Sequence, residues 1–415
     1  MQFKSDFLAF LNERGFLHQC SSYENLDDIM SKEKITAYIG FDCTANSLHV
    51  GSLMQILLLK YLQKFGHTPI ALLGAGTTMI GDPSGRDESR KMLTVEQINE
   101  NMLGIKAVLE RFISFDGSNA GLLLNNADWL SKFSYLEFLR DFGVHFTVNR
   151  MLSFDSVKLR LEKENPMTFL EFNYMLLQAV DYLHLNQNHN VKLQLGGSDQ
   201  WGNIINGVEL IRRKDAKEVF ALTTNLLTKS DGSKMGKTAS GAVWLTPSMF
   251  SVWDFYQYFR NVDDLDVIKY LKIFTEIPMA EIGKLATLQG KELNEAKKLL
   301  AFEITKLCHG ELEAKSAEEL AINTFEKGIV DANLPTFFIT SAELNDGLNI
   351  VDALIKFGLT ASKGETRKLI LNAGVKLNDA PVVDSNYSLS KVDIKDDVIK
   401  LSLGKKKHIL LKIEG

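Results

Sequence analysis

Two short stretches of this chain carry residue types suited to polyphosphate chemistry. His49-Val50-Gly51-Ser52 lies where an apolar run gives way to a helical pattern, and Lys234-Met235-Gly236-Lys237-Thr238 follows about 185 residues later. A helix N-terminus offers backbone N–H groups and a partial positive charge, which suits a phosphate. Gly51 permits close approach of a nucleotide, and His49 can donate a hydrogen bond to a developing negative charge. Two lysines three apart, with a hydroxyl beside the second, can clamp a pyrophosphate. Glycines at 232 and 236 let such a loop open and close. Each stretch alone has a plainer reading: a His and a Gly that shape a turn, and a flexible basic loop. A Walker A loop is excluded, because three residues rather than four separate Gly232 from Gly236 and no strand directly precedes them.

The surrounding pattern says what must hold these residues. Residues 35–42 read as a buried strand, Val50 to Phe65 as a helix, and Pro69 to Leu73 as a second apolar strand. Strand, helix, strand at this spacing predicts a βαβ unit and a parallel sheet. Gly81-Asp82-Pro83-Ser84-Gly85 is a tight loop. Leu122–Asn126 and Val191–Leu195 are further strands, the latter running into Gly196-Gly197-Ser198-Asp199. Polar residues thus gather at the C-terminal ends of parallel strands, where an open α/β sheet takes its ligand. Between the last two strands lies a mostly helical insert, about 128–185. Within it Tyr174, Gln178 and Asp181 (i, i+4, i+7) share one helix face beside apolar neighbours, the pattern of a polar pocket; the alternative for Asp181 is a surface carboxylate.

In this order and at this distance the two phosphate-type stretches resemble the HIGH and KMSKS elements of class I aminoacyl-tRNA synthetases. Four more segments are similar to the tyrosyl-tRNA synthetase family: Tyr38 to Thr44, Gly81 to Gly85, Tyr174 to Asp181, and Gly196 to Asn203. The resemblance covers essentially the whole chain. It implies an ATP-dependent tyrosine–tRNA ligase, which activates tyrosine to tyrosyl-adenylate with release of pyrophosphate. Tyrosine then passes to the 3' end of tRNA(Tyr).

Residue by residue, the resemblance gives Tyr38 and Asp181 the phenolic hydroxyl of tyrosine, and Asp82, Tyr174 and Gln178 its α-ammonium group. Asn126 and Gln200 match further tyrosine-side contacts. Gly40, Asp42, Thr44, His49, Gly51, Ser52, Gly197 and Lys237 match the ATP side, with Asp199 at the ribose. His49, Lys234, Lys237 and Thr238 match the catalytic groups. A buried hydroxyl–carboxylate pair rejects phenylalanine because both groups would be left unpaired; tyrosyl-tRNA synthetase is itself the known example, with discrimination of about 10⁵ and no editing. No stretch here looks like an editing domain. Mg²⁺ is expected to arrive with ATP, with no permanent cofactor and no protein metal site. Two positions depart from the pattern: Ser52 replaces the second HIGH histidine, and the KMSKS element reads KMGKT. Ser52 offers a hydroxyl, which can cap the helix and donate a hydrogen bond, in place of the second imidazole.

At 415 residues two or three domains are expected. The resemblance and the pattern together predict an α/β protein: a Rossmann-like catalytic domain over 1–228 with the helical insert, a KMSKS-type loop and α-helical domain over 229–328, a linker over 329–348, and a small S4-like α+β RNA-binding domain over 349–415. From Val351 to Gly415 there are 12 Lys/Arg against 8 Asp/Glu, net +4, which leaves −9 for the rest of a chain of net charge −5. An acidic body with a basic tail fits a small RNA-contacting module, as it also fits an ordinary solvated surface. Within the tail Lys363, Arg367 and Lys368 lie on successive turns of one helix, available to phosphates. Lys405-Lys406-Lys407 reads as a solvated run. Arg212 and Arg213 are candidates for the acceptor end of tRNA.

Three scattered cysteines make neither a disulfide framework nor a metal pattern, and no segment reads as a signal peptide or membrane span. A soluble cytoplasmic protein with no membrane partner is expected, and the resemblance adds a homodimer built through the helical insert. Two other readings stand beside this one. A tryptophan-specific relative would share both ATP motifs, but Tyr38 with Asp181 and the S4-like tail argue against it. An RNA-binding protein that has kept the synthetase fold is opposed by intact Asp82, Gln178, Asp199 and Lys237.

Overall fold

The computed structural model describes residues 2–84, 92–238, 241–325, 334–345, 347–395, 398–404 and 407–414. Gly85, Lys405 and Lys406 lie outside the described residues. The chain divides into two compact units, Met1–Ala314 and Lys315–Gly415.

The first unit is built on a six-stranded sheet: β1 (Leu17–Cys20), β2 (Thr36–Asp42), β3 (Thr68–Gly74), β4 (Leu122–Asn125), β5 (Val191–Gly197) and β6 (Phe220–Thr224), in the order β1-β6-β5-β2-β3-β4. All neighbours are parallel except β1, which runs antiparallel to β6. β2 and β3 read as near-continuous apolar runs because both faces of a parallel sheet are covered. Ala37, Tyr38 and Ile39 are buried, as are Ile70 to Leu73. The order 5-2-3-4 means that the chain leaves β2 in one direction and returns at β5 on its other side. A topological switch point results at the C-terminal ends of β2 and β5, beyond their last paired residues, Tyr38 and Gln194.

The helix Val50–Lys64 packs against β2, β3 and β5 and buries Leu53, Met54, Ile56, Leu57, Leu58 and Leu59, each contributing roughly 1.5–3 kcal/mol. The insert is helical, as expected, and ends in the long helix Phe169–His189. Thr168 and Glu171 form a capping box at its start, and Asn190 closes it in the left-handed region at φ 49°. Glu171 also pairs with Arg160 at 3.1 Å, both almost fully buried. This pair fixes the helix that carries Tyr174, Gln178 and Asp181. Removing one partner alone would leave an uncompensated charge, at about 3–5 kcal/mol.

Two corrections concern domains. The helices Val252–Arg260, Val267–Phe274 and Leu293–His309, expected as a separate domain over 229–328, belong to the same unit as the sheet. The Arg14 guanidinium donates to the carbonyls of Lys272, Thr275 and Ile277, and Arg111 donates to those of Leu245 and Cys308. These bonds tie the helices to the body.

The second correction concerns the linker expected over 329–348. Its described part contains β9 (Thr336–Thr340) and the helix Ser341–Asn345, and the second unit begins at 315 rather than 349. β9 joins a sheet with β10 (Val375–Leu377), β11 (Ala380–Pro381), β12 (Val398–Leu403) and β13 (Lys407–Glu414), in the order β11-β10-β12-β13-β9; a separate two-stranded ribbon, β7 (Lys237–Thr238) with β8 (Gly241–Ala242), belongs to the first unit. β9 runs parallel to β13, with Thr336 opposite Leu410. The helices Ile350–Lys356 and Lys363–Leu371 supply Ile350, Leu354 and Ile370 to a core shared with Ile399, Leu401 and Leu411.

Candidate active site at the ends of the parallel strands

A cavity of about 750 Å³ opens at the switch point. Every tyrosine-side residue predicted from sequence lines it, as does every ATP-side residue except Lys237. The side chain of Lys237 lies outside the described residues.

The closed end is made by the helix Phe169–His189 and strand β2. Asp181 is 2% exposed. Its Oδ1 accepts from the Trp129 indole N–H at 2.7 Å, and its Oδ2 accepts from the Asn126 amide at 2.9 Å. Burial pushes its carboxyl up to about 7, the two hydrogen bonds oppose the rise, and the charge of Asp42 adds to it. Asn126 is itself fixed, with Oδ1 accepting from the Gly76 N–H at 2.8 Å and its amide donating to Thr77 at 3.0 Å. Tyr38 is buried beside this group, and the carboxylate of Asp181 adds to the burial that holds its hydroxyl well above the usual range. Its Oη has no hydrogen-bond partner among the described residues; nor do Gln178 Oε1 and Gln194 Oε1. Each orphaned buried atom costs about 1–3 kcal/mol, a penalty that a ligand with matching polar groups relieves.

Next along the cavity lies a cluster of carboxylates. Asp42 accepts from the Thr77 hydroxyl at 2.8 Å and from the Tyr174 hydroxyl at 3.1 Å and 3.2 Å. Asp82 accepts from the Gln200 amide at 2.8 Å and from the Ser84 N–H at 2.9 Å. Tyr174, matched with Asp82 and Gln178 to the α-ammonium, thus also holds Asp42. Asp199 has its carboxyl raised by burial and by Asp82, with Lys234 acting the other way. A Cβ on Gly197 would stand 2.7 Å from Asp199 Oδ1, so a larger residue there would push that carboxylate aside.

The start of the helix Val50–Lys64 corrects an expectation. Its first N–H groups are not open to a phosphate: Val50 donates to the Val243 carbonyl at 2.9 Å, Gly51 to His49 Nδ1 at 3.0 Å, and Ser52 to the His49 carbonyl at 2.8 Å. The chain at Val243 closes this end before any ligand arrives. His49 is thus the helix cap. Accepting at Nδ1 leaves the ring proton on Nε2. A Cβ on Gly51 would meet His49 Cε1 at 2.6 Å and displace the capping ring. Of the loop residues, Thr238 donates to the Gly241 carbonyl at 3.1 Å, and Lys234 pairs with Thr228 in an isolated antiparallel bridge. The Gly236 N–H donates to the Tyr258 hydroxyl at 3.1 Å.

Sequence reasoning missed Trp129, Thr77 and Gln194. A buried indole must find an acceptor, but nothing local to Trp129 says that it is Asp181. Arg212 and Arg213 are not free: both pair with Glu209, and Arg213 donates to the His145 carbonyl. In the second unit Lys363 pairs with Asp352 at 2.7 Å, while Arg367 and Lys368 are exposed.

A family model described as tRNA synthetases class I (W and Y) matches residues 30–326, and one described as a Tyrosine--tRNA ligase SYY-like C-terminal domain matches 326–411. A tyrosine–tRNA ligase of Caulobacter sp. (strain K31) is 54% identical over 411 residues, 99% of this chain and 98% of that protein. The chain belongs to the tyrosine–tRNA ligase family. It is accordingly an ATP-dependent aminoacyl-tRNA ligase of the class I fold. The corresponding protein of Nitrobacter winogradskyi is 53% identical over 99% of each chain. Among solved structures, a C-terminally truncated mitochondrial tyrosyl-tRNA synthetase of Aspergillus nidulans superposes with a TM-score of 0.68 at 31% identity, covering 77% of this chain and 94% of that one. No helix among the described residues is long and apolar enough to cross a membrane.

Proposed function

We propose that the cavity activates tyrosine with its ring at the closed end and ATP at the open end, and then passes the tyrosyl group to tRNA(Tyr). The observation that carries this reading is the orphaned Tyr38 hydroxyl beside Asp181, whose two oxygens are already held by Trp129 and Asn126. A phenolic hydroxyl placed there accepts from one and donates to the other. Phenylalanine would leave the Tyr38 hydroxyl orphaned and offer Asp181 no further proton, and the bulkier indole of tryptophan has no hydroxyl to offer.

Asp82, Tyr174 and Gln178 take the α-ammonium, with Asp42 reached through Tyr174 and Gln200 holding Asp82. Asn126 acts on tyrosine chiefly by fixing Asp181. The carboxylate of tyrosine attacks the α-phosphorus, a C–O–P bond forms, and the bond to pyrophosphate breaks. The nucleophile is already an anion, so no general base is needed, and catalysis rests on positioning and on charge stabilisation at the phosphate oxygens. The Nε2–H of His49, with Lys234, Lys237 and Thr238, supplies that stabilisation. Gly40, Thr44, Gly51, Ser52 and Gly197 wall the nucleotide, and Asp199 takes its ribose. Mg²⁺ enters as part of the ATP substrate and offsets the carboxylate cluster. The ribose hydroxyl at the 3' end of tRNA then attacks the tyrosyl carbonyl, and AMP leaves.

Arg367 and Lys368 engage tRNA phosphates, with Arg212 and Arg213 nearer the acceptor end. The insert exposes Leu136, Val144, Val148 and Phe169, each more than 60% exposed, which supports a homodimer across that face. A soluble cytoplasmic enzyme is the setting. Pyrophosphate exchange into ATP tests the reading: exchange should depend on tyrosine and be lost in Asp181→Ala. A sedimentation experiment at micromolar concentration should give the dimer, and a monomer would contradict that part.

A further inference from the structure

The ring of His184 lies flat on the indole of Trp129, with centroids 4.2 Å apart and planes inclined by 11°. Trp129 is 7% exposed and spends its only N–H on Asp181. Asp181 and His184 sit three residues apart on the helix Phe169–His189, so they share a face. One helix therefore holds the indole at two points: Asp181 takes its edge and His184 takes its plane. Burial, then His189 and Lys132, hold the imidazole below its ordinary value, so it stacks as a neutral ring at neutral pH. The Asn188 amide lies 3.4 Å from His184 Nδ1 and donates to the His184 carbonyl at 2.9 Å.

We propose that His184 is a positioning residue for tyrosine recognition, acting through the Trp129 indole on the orientation of Asp181. This inference rests on the reading of Asp181 as the group that meets the phenolic hydroxyl. The reasoning is geometric. A carboxylate with one oxygen anchored by Asn126 and the other by Trp129 presents its remaining lone pairs in a fixed direction. If the indole tilts, the Oδ1 anchor lengthens and the carboxylate can rotate about the Asn126 bond. The N–H bond constrains one atom of the ring and not its plane; the His184 stack adds to the core packing that holds that plane. Asn126 is an independent anchor, so loss of the stack weakens recognition without abolishing it.

The test compares His184→Ala, which removes the ring, with His184→Phe, which keeps a flat aromatic face. Both are assayed by pyrophosphate exchange with tyrosine and with phenylalanine, alongside Asp181→Asn. His184→Ala should raise the tyrosine KM by roughly three- to tenfold, the range an aromatic pair carries, with kcat at saturating tyrosine and the ATP KM unchanged. Discrimination against phenylalanine should narrow by the same factor. His184→Phe should restore both to within about twofold. Unchanged tyrosine KM and discrimination in His184→Ala would overturn the inference, and so would a His184→Phe variant as impaired as the alanine one. Collapse of discrimination in Asp181→Asn together with a wild-type His184→Ala would leave the pocket standing and remove only His184. Intact discrimination in Asp181→Asn would remove both.

Discussion

Gly236 packs directly on Gly51: a Cβ built on Gly236 would lie 3.0 Å from the Gly51 nitrogen. The two signature stretches, remote in sequence, thus lie side by side, with no room between them for a side chain at Gly236. Gly236 sits at φ 86°, a conformation that costs an L-residue of the order of 1–2 kcal/mol. Its carbonyl accepts from the Val243 N–H at 2.9 Å, and Val243 in turn caps Val50. One backbone chain therefore links the loop to the helix that presents His49.

Gly236→Ala should disturb this contact from both sides, by backbone strain and by crowding Gly51. The expected result is at least a tenfold fall in the single-turnover rate of adenylate formation, about 1.4 kcal/mol in the barrier. Tyrosine affinity, measured by equilibrium dialysis, should stay within twofold.

His49 has two tasks in this structure, capping Gly51 through Nδ1 and offering a proton at Nε2. His49→Ala removes both and should lower the activation rate by about 10²-fold, the scale of one lost oxyanion-type donor. His49→Asn can still cap and donate, and should recover part of that loss. If the tyrosine Kd rose in step with an unchanged single-turnover rate, the assignment of His49 to the transition state would be wrong.

Asp181 makes the ligand-free enzyme sensitive to pH. Its carboxyl is raised by burial from 3.8 to about 7. Between those values the folded chain holds a proton that the unfolded chain has lost, so stability falls as pH rises through that window and levels above it. At about 1.36 kcal/mol per unit the fall amounts to a few kcal/mol. Denaturation of the ligand-free protein at pH 5 and pH 7.5 should show it, and Asp181→Asn should flatten the slope. Tyrosine affinity should run the other way, strengthening as Asp181 ionises and becomes able to accept the phenolic proton.

In the second unit the three basic residues are not equivalent. Lys363 is held by Asp352, whereas Arg367 and Lys368 stand exposed. Arg367→Ala and Lys368→Ala should each raise the KM for tRNA severalfold, reduce the salt dependence of binding by about one charge, and leave pyrophosphate exchange untouched. Lys363→Ala should do less on both counts.

The sequence made legible whatever is written locally. β2, the helix after His49 and the strand ending in Gly196-Gly197 are apolar runs closed by polar residues, and each was found within a residue or two. The three-residue face of Tyr174, Gln178 and Asp181 follows from helical spacing alone. What escaped depends on partners far along the chain. Trp129 reaches Asp181 across 52 residues. The N–H of Val50 looks open to a phosphate until Val243, remote in sequence, supplies its carbonyl. β9 reads as a linker because Pro335 precedes it and Asn345-Asp346-Gly347 follows it. Its register is set by β13, some 70 residues away, and no local pattern carries that pairing.

The most direct measurement is ATP–pyrophosphate exchange by the intact protein with each of the twenty amino acids in turn. Exchange with tyrosine alone is the predicted result, and it would establish the reaction and the Tyr38–Asp181 end of the cavity together. Exchange with tryptophan would contradict that assignment while leaving the ATP side in place. No exchange with any amino acid would contradict the account as a whole, with Ser52, in place of the second histidine, the first residue to replace.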